Sequence, residues 1–327
     1  MIELGYNLSS EEHQPNELIA HAQMAESAGF KFLIISDHFH PWVSQQGQSP
    51  FVWSTLGGIA QATQQVTVGT GVTCPIMRTH PAIIAQAAAT VADMMPGRFF
   101  LGVGAGEYLN EHILGDVWPG PQTRQEMLSE AISIIRELWK GYEYSYKGQY
   151  FTVRDARIYT LPEKLPPIYM AASGTEAAET AAQVADGLIS TSSGEEIVKT
   201  FKKSGGSGKP CFGKLTVCWA DSVEEAKQVM KEWWPVSSVS GHLHADLPTP
   251  KHFEDVVKAM GDPKLPEDAI LGPNPNPYLK GLQALQENGY DHISIHQIGP
   301  DQESFIEFFE QELLPLLEKE NLIKDTA

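Results

Sequence analysis

Short apolar runs rich in β-branched and aromatic residues recur along this chain, separated by stretches whose apolar residues repeat with helical spacing. The pattern predicts strands at 3–7, 32–36, 66–70, 99–103, 167–171, 187–190, 214–219 and 292–296. In PNELIAHAQMAESAGF, which follows the first of them, Leu18, Ala22, Ala25 and Ala28 share one helix face and Gly29 supplies the stop. The strand runs are continuously apolar rather than alternating, as in a parallel sheet covered on both faces. Eight such β-α units predict a (β/α)8 TIM barrel spanning residues 1–327 as a single domain, with its chemistry at the C-terminal strand ends. A doubly wound open sheet is the alternative. Against it, the Gly-rich GVGAGE at 102–107 falls in the fourth unit, whereas a dinucleotide fingerprint opens the first.

Two stretches interrupt the alternation. Residues 142–160, YEYSYKGQYFTVRDARIYT, read as an inserted hairpin turning at Lys147 and Gly148. A second insertion is placed at 235–275; its first part, 235–250, is rich in Pro, Ser and His without periodicity and reads as a loop. A loop of that length in a compact barrel commonly serves as a lid or substrate-specific cap.

Charge and cysteine content narrow the function classes. A net charge of −18 and a pI near 5.0 exclude nucleic acid and anionic membranes as natural partners, because both need a basic surface. The three cysteines, Cys74, Cys211 and Cys218, are odd in number and sit in apolar contexts, which points to a reducing compartment. With neither a leader-like start nor a long apolar run, the expectation is a cytoplasmic protein acting on a small-molecule substrate.

The chemistry-bearing residues cluster at predicted strand ends. SDHFHPW, 36–42, follows the second strand. His38 there suits a general base, since neutral imidazole titrates near physiological pH, with Asp37 as a carboxylate nearby. His38 and His40 also have the spacing of a metal pair, and a histidine satisfied by backbone carbonyls is the third reading. In GVTCPIMRTHPAIIAQAAAT, 71–90, Gly71 marks a close approach or an uncommon backbone conformation, Met77, Ile83 and Ile84 read as core, and Arg78 as a rim cation or a surface ion pair. GVGAGEYLNE, 102–111, puts Glu107 either at the edge of a bound flat ring or at a helix start. In AASGTEAAE, 171–179, Ser173, Gly174 and Thr175 open a helix whose N–H groups could hold a phosphate, or that Ser173 or Thr175 caps.

Together SDHFHPW, GTGVTCPIMRTHPAIIAQAAAT, GRFFLGVGAGEYLNEH and PIYMAASGTEAAETAAQVADGLISTS strongly resemble the bacterial-luciferase-like superfamily. Within it they look like the branch that includes glucose-6-phosphate dehydrogenases and secondary alcohol dehydrogenases using the deazaflavin coenzyme F420. The resemblance covers nearly the whole chain, including HQIGPDQ at the eighth strand. It implies His38 as the base toward a substrate hydroxyl while hydride passes to the deazaflavin C5. It also implies Trp42 beside the reacting carbon, Glu107 managing the proton at ring N1, and Asp37 supporting the pocket from behind. Gly71-Val72 matches a non-proline cis peptide against the ring. Ala105, Gly106, Asn110, Ala172, Ser173, Gly174 and Thr175 match positions near the ring or its phosphate-bearing tail. The resemblance further implies a homodimer, and no metal is expected.

One departure bears on substrate. Where the glucose-6-phosphate enzymes place a phosphate-binding lysine, this chain reads ISTSSGEEIV, with Glu195 and Glu196 and no lysine until Lys199. Farther on, MGDPKLPEDAILGPNP offers Lys264 with acidic Glu267 and Asp268. Carboxylates repel an unpaired phosphate, so the expectation is a coenzyme F420-dependent oxidoreductase acting on an alcohol or carbonyl other than glucose 6-phosphate. The alternatives are an FMN-dependent monooxygenase of the same superfamily, a metal-dependent hydrolase using His38 and His40, and a noncatalytic cofactor-binding protein.

Overall fold

The computed structural model describes residues 1–239, 243–261, 265 and 269–323. Among these, eight parallel strands close on themselves: β1 Glu3–Leu8, β2 Phe32–Ile35, β3 Thr67–Thr70, β4 Phe99–Val103, β5 Ile168–Ala171, β6 Gly187–Ile189, β7 Cys211–Cys218 and β8 His292–Gln297. Each pairs with the next, and β8 pairs with β1 in the register Glu3 to His292 and Tyr6 to Ile295. Helices separate the strands, so the molecule is a (β/α)8 barrel.

The side-chain period of two explains why the strand runs are apolar throughout. On β2, Leu33 and Ile35 join the large core between strands and helices, whereas Phe32 and Ile34 join a separate cluster in the lumen. That lumen is filled by rings. Phe212 contacts Phe32, Phe100, Tyr169 and His292 at centroid separations of 5.2, 5.3, 4.9 and 4.4 Å. Glycine makes room for them: a Cβ on Gly5 would fall 2.3 Å from the Phe32 ring, and one on Gly69 2.0 Å from the Phe100 ring. Below the rings, at the N-terminal end, lies a cavity of about 550 Å³ bordered by Glu3, Lys31, Arg136 and Lys164.

The predicted hairpin forms from antiparallel strands Tyr144–Lys147 and Thr152–Ala156. The expected loop at 235–250 instead contains a 3-10 turn at Pro235–Ser238 and a short helix at Leu243–Asp246, and a longer helix, Pro250–Met260, follows. Their apolar residues dock on the mouth: Val236 and Phe253 pack with Trp42, Val43 and Leu109. The seventh strand begins at Cys211, three residues before the predicted start at 214, which sets Lys214 mid-strand. Ile84 is core, Met77 packs against the core, and Ile83 is 56% exposed on the outer face of its helix, contrary to expectation. All three cysteines are free and buried. No helix among the described residues is long and apolar enough to cross a membrane. Lys264, Glu267 and Asp268 lie outside the described residues.

Candidate active site at the barrel mouth

Three strand ends meet around His38. After β1 the chain runs Ser9-Ser10-Glu11-Glu12-His13, all buried. Ser10 locks this turn to the end of β2, its Oγ donating to the Ser36 carbonyl (2.6 Å) and its N–H to Ser36 Oγ (3.0 Å). Ser36 Oγ in turn donates to Glu11 Oε2 at 2.5 Å. The other carboxylate oxygen, Oε1, lies 3.4 Å from His38 Nε2, and Glu107 Oε2 approaches the same nitrogen at 3.6 Å. On the far side of the ring, His38 Nδ1 is 3.2 Å from the His40 carbonyl oxygen. A carbonyl only accepts, so Nδ1 carries the hydrogen and Nε2 is the basic atom of the neutral ring. The Trp42 ring closes one wall, 5.1 Å from His38.

Burial pushes the Glu11 carboxyl up, but His38, the Ser36 hydroxyl and its own backbone N–H outweigh that and hold it below the usual range. Burial raises Glu107, with His38 pulling it down and Glu11 pushing it up. Its side chain is 35% exposed and opens toward the mouth. Although Glu107 is the N-cap of Tyr108–Glu111, its side chain makes no cap hydrogen bond.

Asp37 and Arg78 build the support behind. Asp37 accepts from Thr73 Oγ1 (2.8 Å) and from Arg78 Nη2 (2.9 Å), pointing away from His38. Arg78 is not a surface cation: its side chain is 10% exposed, and Nε lies 3.6 Å from Glu111, which also accepts from the Arg78 N–H. Burial raises Glu111 to about 7, Arg78 opposing. Asn110 is engaged with the protein: its Oδ1 accepts from the N–H groups of Phe39 (2.9 Å) and His40 (3.2 Å) and so straps the SDHFHPW segment. His40 turns its Nδ1 to the Leu109 carbonyl oxygen at 2.8 Å, away from His38, which removes the HxH metal pair. Among the described residues no three His, Cys, Asp or Glu side chains converge as metal ligands do.

A bed for a flat ligand adjoins this cluster. Gly71, Val72, Ala105, Gly106 and Glu107 are half-exposed while Thr70, Thr73 and Gly104 beneath them are buried. The Gly71-Val72 bond is cis. A Cβ on Gly104 would sit 2.6 Å from Val72, so the two segments touch without side chains between them. Ala172 is buried at the foot of the next loop, and Ser173 and Gly174 are exposed. Gly174 is the N-cap of Thr175–Val184 and no side chain caps it, so the first-turn N–H groups face outward unclaimed by Ser173 or Thr175. A half-exposed, glycine-rich bed of this kind has room for a planar ring, and an uncapped helix start suits an anionic group.

Several mouth residues were not singled out from the sequence: Glu11, Glu12, His13 and Lys214. His296 enters the sequence reading only within HQIGPDQ at the eighth strand. Glu12 Oε1 accepts from the Gly299 N–H at 2.9 Å, and Oε2 is 3.6 Å from His296 Nε2. Burial raises Glu12 to about 8 and lowers His296 and His13 to about 3. Lys214 lies in the lumen within electrostatic reach of Glu11, Glu107 and Glu12, and burial lowers it. The one signal available in the sequence was the polar run SSEEH directly after a buried strand. Lys199, by contrast, pairs with Glu195 on an exposed helix face at 2.6 Å.

Comparison with known proteins identifies the family. Residues 2–292 match the luciferase-like monooxygenase family. An F420-dependent glucose-6-phosphate dehydrogenase of Microbacterium testaceum (strain StLB037) is 34% identical over 330 residues, covering 97% of this chain and 98% of that protein. One from Rhodococcus erythropolis (strain PR4) is 32% identical over 330 residues, covering 97% and 98%. An F420-dependent secondary alcohol dehydrogenase, solved with an F420-acetone adduct, superimposes with a TM-score of 0.85 at 28% identity over 96% of this chain and 98% of that one. The coenzyme F420 dependent tetrahydromethanopterin reductase from Methanopyrus kandleri shares the fold, with a TM-score of 0.76 at 20% identity over 96% of this chain and 99% of that one. The chain therefore belongs to the luciferase-like monooxygenase family.

Proposed function

We propose that this protein is a coenzyme F420-dependent oxidoreductase that moves a hydride between the deazaflavin C5 and an alcohol or its carbonyl, glucose 6-phosphate excepted. The observation that carries the reading is the position of His38 Nε2, 3.4 Å from Glu11 and 3.6 Å from Glu107, beside the half-exposed Gly71-Val72 and Ala105-Gly106 bed. The names of the similar proteins support the cofactor.

When bound, the deazaflavin supplies the two-electron acceptor. The chain supplies the proton chemistry. His38 takes the hydroxyl proton on Nε2, and the Glu11 carboxylate at 3.4 Å stabilises the imidazolium that results. Glu107, with its raised pKa, holds a proton that it gives up and regains at the mouth. Trp42, with Val236 and Phe253 packed on it, excludes water from the reacting atoms. Asp37, fixed by Thr73 and Arg78, and Asn110, strapping residues 39 and 40, hold His38 in place. A phosphate dianion is disfavoured because the Glu11 carboxylate, held ionised, would repel it and already draws on the ammonium of Lys214.

Titration with coenzyme F420 and, separately, with FMN tests the cofactor, and an alcohol panel that includes glucose 6-phosphate, followed by deazaflavin absorbance, tests the reaction. Tighter binding of FMN with oxygen consumption would overturn the cofactor, and oxidation of glucose 6-phosphate in preference to every other compound would overturn the substrate.

A further inference from the structure

Beyond His38, the deep end of the mouth is lined by polar atoms that the hydride reaction does not use. Glu12 Oε2 and both ring nitrogens of His296 are buried without a hydrogen-bond partner among the described residues, and His296 is 1% exposed. Lys214 rises from β7 opposite Ser294, above the Phe212 ring of the same strand. Its ammonium makes no hydrogen bond or ion pair with a described residue, yet it lies within electrostatic reach of Glu11, Glu12, Glu107 and His296. The Trp234 ring stands edge-on to His296 at 4.8 Å and closes this end.

The chemistry of these atoms selects a ligand group. Glu12 Oε1 already accepts from Gly299, and with the carboxyl raised to about 8 its proton sits on Oε2, which is therefore a donor at neutral pH. Lys214 has three donors and no acceptor. A neutral His296 presents one donor and one acceptor, and Glu11 adds a carboxylate beside them. A carboxylate or phosphate would bring negative charge to the ionised Glu11 and offers no donor in return. A hydroxyl both donates and accepts and adds no charge.

We propose that Lys214, Glu12 and His296 form a subsite for an uncharged hydroxyl of the substrate, beyond the carbon that reacts, so that the enzyme selects a polyhydroxylated alcohol over a simple one. The proposal rests on the alcohol-oxidising reading above. A site built to bond a hydroxyl rejects the analogue lacking it, because its own buried polar groups are then left unpaired.

The test compares wild type and Lys214→Met, both loaded with coenzyme F420, on butane-2,3-diol, butan-2-ol and lactate. The expected result is a drop of at least about 10-fold in kcat/KM for the diol, with butan-2-ol changed by less than about 3-fold. An equal loss for diol and butan-2-ol, a loss confined to lactate, or a wild type that does not prefer the diol would each overturn the subsite. Saturation-transfer NMR of butane-2,3-diol reads binding without turnover, and the signal is expected in wild type and absent in Lys214→Met. If neither alcohol is oxidised while that difference persists, the dehydrogenase reading falls and the hydroxyl subsite stands. Circular dichroism checks folding, and Lys214→Gln replaces Lys214→Met if the latter does not fold.

Discussion

Glu12 and His296 face each other at 3.6 Å in the buried centre of the barrel mouth, a carboxyl raised to about 8 opposite an imidazole lowered to about 3. Burial drives both toward neutrality, because a charge there has no water and too few donors to replace it. Folding therefore keeps a proton on the acid and keeps one off the base, which links stability to pH from both directions.

For Glu12, the folded carboxyl holds its proton up to about 8 while the unfolded one loses it near 4.5. Its contribution is fully present below 4.5 and is lost as pH rises to 8. Glu12→Gln, which mimics the neutral acid, should therefore gain stability over wild type as pH rises from 5 to 9, on the order of 3 kcal/mol. Urea midpoints at pH 5 and pH 9 measure it, and a constant difference between the two would mean that Glu12 is ionised in the fold.

His13 and His296 act at the other limit. Both are lowered from 6.5 to about 3 by burial, so the stability they contribute is present above 6.5 and lost as pH falls through that window. His13→Phe should shift the acid-unfolding midpoint downward relative to wild type, followed by tryptophan fluorescence. A midpoint that stays in place would show that His13 takes up its proton without unfolding.

Arg78 neutralises two buried carboxyl groups, Asp37 at 2.9 Å and Glu111 at 3.6 Å. Arg78→Met leaves both without a cation, and the expected loss is about 3 to 5 kcal/mol at pH 7.5. The loss should shrink near pH 5, where Glu111, raised to about 7, is protonated. Chemical denaturation at both values checks the size and the trend.

His38→Ala should bind cofactor nearly as wild type does and lose turnover by about 100- to 10,000-fold. Glu11→Gln should lower kcat by a similar factor, since it removes the charge that stabilises imidazolium, and should leave KM little changed. Steady-state kinetics with deazaflavin absorbance read both, and full activity in either variant would remove that residue from the mechanism.

Much of this was legible in the linear chain because barrel strands buried on both faces leave uninterrupted apolar text. Seven of the eight strands lie within two residues of the prediction at each end. The eighth case is instructive. Lys214 reads as a strand boundary because a cation inside an apolar run looks like its edge, and it became a mid-strand lumen residue only when the three residues before it paired with their neighbours. Glu11, Glu12 and His13 follow β1 as an acidic, solvated-looking turn, and their burial depends on Ser36 and Gly299, which lie 25 and 287 residues away along the chain. Within 235–250, Val236 and Leu247 pack toward Trp42, so their spacing follows the mouth and not a helix axis of their own.

The packed rings of Phe32, Phe100, Tyr169 and Phe212 plug the lumen beneath the mouth. With the floor closed, whatever binds at the mouth and whatever replaces it share one doorway. New specificities can be tried around that doorway without disturbing the floor.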